Sequence, residues 1–116
     1  MSLEGIELAK KIAETAADKQ ASDVVLLDAR DACSFADYFV ICSADSERQI
    51  KAIEEAIDEV VKKEAVARRH REGTARSGWV LLDMGNIIVH IFAPFEREYY
   101  QLESLWSQAP VIVKMI

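Results

Sequence analysis

The side chains able to carry chemistry in this chain are few and scattered. Histidines stand at positions 70 and 90, cysteines at 33 and 42, and Asp28, Asp37 and Asp83 fall at the ends of apolar runs. Carboxylates at strand ends can hold magnesium for phosphoryl or nucleotidyl transfer. The Asp-x-Asp spacing and Gly-Ser phosphate loop that such an enzyme would carry are missing, however, and Ser43-Ala44-Asp45-Ser46 stands in the loop's place. Phosphate-loop, dinucleotide-binding, zinc-protease and nucleophile-elbow motifs and a C-x-x-C pair are missing as well. Cys42 ends an apolar run and reads as a small buried hydrophobe, while Cys33 sits in a turn where nothing in the sequence supplies a base to activate it. His70 lies among arginines and reads as a surface residue, so the two histidines do not suggest a metal site. The expectation is a protein with no catalytic residues, no cofactor and no metal. A small magnesium-dependent nucleotidyltransferase-like enzyme is the alternative.

The richest stretch is residues 78–106, GWVLLDMGNIIVHIFAPFEREYYQLESLW, where Trp79, Asp83, His90, Arg97 and Tyr100 crowd into one supersecondary unit. Strands are predicted over 79–84 and 87–92, flanking Gly85-Asn86, a pair suited to a two-residue hairpin turn because both residues tolerate positive φ. Alternation puts His90 on one side with Ile88 and Phe92, and Ile87, Val89 and Ile91 on the other. A lone strand histidine reads first as a hydrogen-bonded structural residue and second as a binding residue. Pro94 stops the strand, and Glu96 and Glu98 suit the N-terminal end of a following helix. In that helix Tyr99, Leu102 and Trp106 share a face, and core packing is the favoured reading for Tyr99 and Trp106.

The other elements must position this unit. Ile6, Ala9, Ile12, Ala13, Ala16 and Ala17 recur at helical spacing between residues 2 and 19. SDVVLLDA at 22–29 and YFVIC at 38–42 are short apolar runs of the buried-strand type, separated by a polar turn, and so are expected to be neighbours. Ser46, with Gln49 three residues on, forms a capping box that opens a long helix to about residue 63, with Ile50, Ile53, Ile57, Val60 and Val61 as its buried stripe. Residues 66–72 are a polar edge-strand candidate, and residues 107–116 have no clear partner and are expected to be a loosely docked tail. The predicted order is α-β-β-α-β-β-β-α: one α/β (α+β) domain over residues 1–116, with a mixed sheet of about five strands and flanking helices.

With 51% hydrophobic and 29% charged residues, 116 residues suffice for one core without staples. A net charge of -6 argues against nonspecific DNA or anionic-membrane binding and favours a basic protein partner. Residues 68–76 depart from this, carrying four arginines against one glutamate, and form an edge that can tolerate RNA nearby. Two cysteines fit a reducing compartment, and the absence of a signal-like or membrane-length apolar run leads to a cytoplasmic expectation.

SDVVLLDA at 22, FADYFVICSADSERQIKAI at 35, EGTARSGWVLLDMGNIIVHIF at 72 and REYYQLESLW at 97, in this order and spacing, resemble the ribosome-silencing factors, also called the Iojap family. The resemblance implies a nucleotidyltransferase-like fold without its catalytic motif. It also implies binding to the large ribosomal subunit through its fourteenth protein, which sterically blocks joining of the small subunit and represses translation when nutrients are short. Family hallmarks carried over by position are Asp37, Tyr38, Ser46, Arg48, Glu72, Gly73, Trp79, Asp83, Gly85, His90, Arg97, Tyr100 and Trp106; Asn86 departs from a usual Asp and Ala44 from a usual Gly. The expected partner-binding set is Trp79, Leu81, Asp83, Met84, His90, Arg97 and Tyr100, and with a ribosomal setting the arginine-rich 68–76 edge is the place for an rRNA contact. A face with exposed apolar residues can also pair with itself, so a homodimer of the free protein is a further expectation.

Overall fold

The computed structural model describes residues 5–64 and 70–115. The Val66–Arg69 part of the expected edge strand, two of the four clustered arginines, and residues 2–4 of the expected first helix lie outside them. The elements run α1 (Ile6–Asp18), β1 (Ser22–Asp28), β2 (Tyr38–Ser43), α2 (Glu47–Lys63), β3 (His70–Thr74), β4 (Trp79–Asp83), β5 (Ile87–Phe92), α3 (Pro94–Tyr100), α4 (Leu102–Leu105) and β6 (Val111–Met115). They build one six-stranded mixed sheet in the order β3-β4-β5-β2-β1-β6. Its one parallel pairing, β2 with β5, joins two antiparallel halves.

The expected α+β class and the order of the first seven elements are as observed; the sheet has a sixth strand, and two expectations about the end of the chain's element order need correction. Residues 107–115 of the expected loose tail are not loose, because Val111–Met115 pairs with β1; Ile116 lies outside the described residues. The run Val24–Leu27 is buried throughout and its backbone needs partners on both edges. β2 supplies one edge, and the β-branched run Val111-Ile112-Val113 supplies the other. The second correction concerns the last helix, which breaks in two at Gln101, a non-glycine residue held at φ 46.

α1 and α2 cover one face of the sheet. Leu8, Ile12, Ala16, Ile50, Ile53 and Ile57 meet Val24, Leu26, Val40, Val80, Ile87, Val89 and Ile91 there, and alanines at positions 9, 13 and 16 let α1 lie close. Ser46 caps α2 as its position predicts, its Oγ accepting from Gln49 N at 3.1 Å. The Gln49 side chain does not close the box on Ser46. Its Oε1 accepts from Asp45 N at 2.7 Å and its Nε2 donates to Gln20 O at 2.8 Å, tying the start of α2 to the end of α1.

A candidate partner-binding face

The opposite face of the sheet carries the candidate site. In-register pairing aligns Trp79 with Phe92, Leu81 with His90 and Asp83 with Ile88, and the next strand adds Phe39, Ile41 and Ser43. All of these point away from α1 and α2, the phase that alternation predicts for His90. Over β1 and β2 this face is sealed by Ala29, Ala32, Cys33, Ala36, Leu102 and Trp106, with the Trp106 ring 5.2 Å from that of Phe39. Trp106 is half-buried and packs against this core, in line with the packing role expected for it. Over β5 it is buried at Ile88, His90 and Phe92, Tyr100 of α3 packs over its Trp79 end, and Trp79 and Leu81 of β4 are half-buried at its surface.

Trp79 and His90 form the centre. The indole Nε1 donates to His90 Nδ1 at 3.2 Å, so the imidazole must be neutral at that nitrogen. Burial acts the same way and lowers the His90 pKa from 6.5 to about 4. His90 is 6% exposed and lies parallel to the Phe92 ring, so it works from beneath the surface by orienting Trp79. Tyr100 packs against the indole from above, with ring centres 4.5 Å apart. Beside them Glu72, Gly73, Ser77, Trp79, Leu81 and Tyr100 line a shallow groove of about 260 Å³.

Two backbone features aim this surface. Gly85 takes φ 88 and makes the hairpin reversal, while Asn86 stays out of the positive-φ region, so one of the two turn residues suffices. Asp83 Oδ1 accepts from Gly85 N at 2.8 Å, which gives Asp83 a turn-forming role. Gly73, at φ 81, lets β3 press against β4, where an added Cβ would stand 2.1 Å from the Trp79 carbonyl oxygen.

The structure gathers Trp79, Leu81, Asp83, His90 and Tyr100 on one face and separates two others expected to join them. Met84 is buried on the helix side with Ile57 and Val61, one step out of phase with Asp83. Arg97 lies at the margin, 12% exposed, where Nε and Nη2 fork onto Glu103 at 3.0 and 2.9 Å and Nη1 donates to Ser43 Oγ at 3.0 Å. It fastens α3 and α4 to the sheet. Tyr99, expected in the core, is exposed, because the break at Gln101 rotates Leu102 and Trp106 away from its face of the helix. Phe95, which the sequence reading passed over, is also exposed on α3.

The groups considered for chemistry are otherwise engaged. Asp28 accepts from both Nε and Nη2 of Arg30, hydrogen bonds that hold its carboxyl below the usual range. Cys42 is buried, which pushes its thiol up to about 12. Among the described residues no group of three or more His, Cys, Asp or Glu is placed to hold a metal ion. Of the clustered arginines, Arg71 pairs with Glu54 of α2 and Arg76 is exposed. No helix among the described residues is long and apolar enough to cross a membrane.

The family model described as "Ribosomal silencing factor during starvation" matches residues 2–115. The chain belongs to this family. Ribosomal silencing factors from Bacillus subtilis and Halalkalibacterium halodurans are 40% and 39% identical to it, over 87% and 82% of this chain and 86% and 81% of theirs. The chloroplastic Iojap protein of Zea mays is 31% identical over 94% of this chain and 47% of its own length. Crystal structures of proteins from Chromobacterium violaceum (TM-score 0.84, 31% identity, covering 90% of this chain and 88% of that one) and Bacillus halodurans (0.80, 34%, 94% and 99%) share the fold. These silencing-factor relatives carry names of regulators and not of enzymes.

Proposed function

We propose that this protein is a cytoplasmic translational repressor that docks on the large ribosomal subunit at its fourteenth protein and keeps the small subunit from joining. Family membership supports the ribosomal setting. The observation that carries the docking reading is the half-buried surface of β4, where Trp79, held by His90 and packed against Tyr100, borders the Leu81 groove. Preorganised aromatic anchors beside a groove are what binding hot spots are built from. Repression by occupancy needs no turnover, and the net charge of -6 suits a basic ribosomal protein by speeding encounter. The same face serves as a homodimer contact when the ribosome is absent.

Cosedimentation with purified large subunits tests this. The wild-type protein should pellet with them and Trp79→Ala should remain in the supernatant. Equal behaviour of the two, or a wild-type protein that never pellets, would refute the reading.

A further inference from the structure

The helix α3 buries none of its residues, yet it is held firmly. Pro94 opens it, Ala93 N donates to Gly78 O at 2.8 Å, and the Arg97 fork ties it to Ser43 and Glu103. What this framework supports is a row of solvent-facing rings. Phe95 is 72% exposed, Tyr99 70% and Tyr100 45%. The Phe95 and Tyr99 rings stack with centres 6.0 Å apart and planes 16° apart, and Tyr99 meets Tyr100 edge-on at 5.1 Å, so the row runs without a gap to Trp79.

The spacing of Phe95, Glu98 and Tyr99 places all three on one side of the helix, with a carboxylate beside the two rings. Arg97, the one cation of α3, is neutralised by Glu103, and the helix's other charged residues are Glu96 and Glu98. Ring faces beside a carboxylate attract cations and repel phosphates. We infer that the Phe95–Glu98–Tyr99 ledge binds arginine or lysine side chains of an extended basic protein segment, making a second contact next to the Trp79 face. The assignment of partner class follows from charge complementarity and from the continuity of the ring row with Trp79. It extends the docking reading above but depends on different residues.

The full-length chain should be titrated with a Gly-Arg repeat peptide, a Gly-Glu repeat peptide and oligouridylate, following aromatic NMR signals of Phe95 and Tyr99. Those signals should move with the Gly-Arg peptide alone. An exposed cation–π contact corresponds to roughly two- to five-fold in affinity, so Phe95→Ala/Tyr99→Ala should bind about ten-fold more weakly, while Tyr99→Phe should bind like the wild type. Both truncated rings are exposed, so the fold does not depend on them. Equal affinity in the double variant, or a response to RNA or to the acidic peptide, overturns the ledge. On large subunits the double variant should also bind about ten-fold more weakly, and unchanged binding there likewise overturns it. A wild-type protein that binds the peptide through these rings but never pellets with large subunits supports the ledge and defeats the docking proposal alone.

Discussion

The Trp79–His90 pair makes stability depend on pH in a way that can be worked out in advance. His90 is held neutral in the folded protein with a pKa of about 4, against 6.5 for the ordinary side chain. Between those values the unfolded chain takes up a proton that the folded chain refuses, so this contribution to stability is complete above 6.5 and is lost as pH falls towards 4. The gap is worth about 3 kcal/mol, of which roughly 1 kcal/mol should be gone by pH 5.5, and the loss should level off below pH 4. Because His90 is 6% exposed, solvent screening discounts this little. The measurement is urea unfolding at pH 7, 5.5 and 4.5 for the wild type and for His90→Gln, whose side-chain oxygen can still accept from the indole. Every other ionisable side chain is common to both proteins, so the difference between the two curves isolates His90. Parallel curves across this range would refute a buried neutral imidazole, and so would a wild type that gained stability, relative to the variant, on acidification.

Arg97→Ala should cost about 1–3 kcal/mol in chemical unfolding, because it leaves Glu103 and Ser43 without their donor in a half-buried setting, and Arg97→Lys should recover little of it since one ammonium cannot span the fork. Gly73→Ala should destabilise by about 2 kcal/mol or more, read as a lower Tm, because φ 81 and the clash with the Trp79 carbonyl act together. Under native conditions a thiol reagent at pH 8 should label Cys33 and spare Cys42, whose burial raises its pKa to about 12; rapid labelling of both would contradict the packing of β2.

Local signals were the legible ones. The phase of His90, the reversal at Gly85 and the Ser46 cap each depend on residues within a few positions of one another, and all three stand as the spacing predicts. The same alternation separates Met84 from Leu81 and Asp83, so grouping them overlooked a signal that was present. β6 was illegible because its partner, β1, lies more than eighty positions away, as in the pairing of Val25 with Lys114. Tyr99 was misassigned because the periodicity of an unbroken helix was extended across Gln101, where no proline or glycine marks the break. Arg97 looked available because Ser43, one of its acceptors, comes from a distant strand.

The position of β6 also bears on how the protein is made. β1 and β2 pair locally, but the outer edge of β1 is closed only by Val111–Met115. Until that strand has been synthesised, the nascent sheet presents an unpaired apolar edge running from Val24 to Leu27, the kind of edge that invites pairing with another chain. Completion of the sheet must therefore wait for a segment made more than eighty positions after β1, and a chain stalled before residue 111 would be prone to aggregate although nearly all of its core is already present.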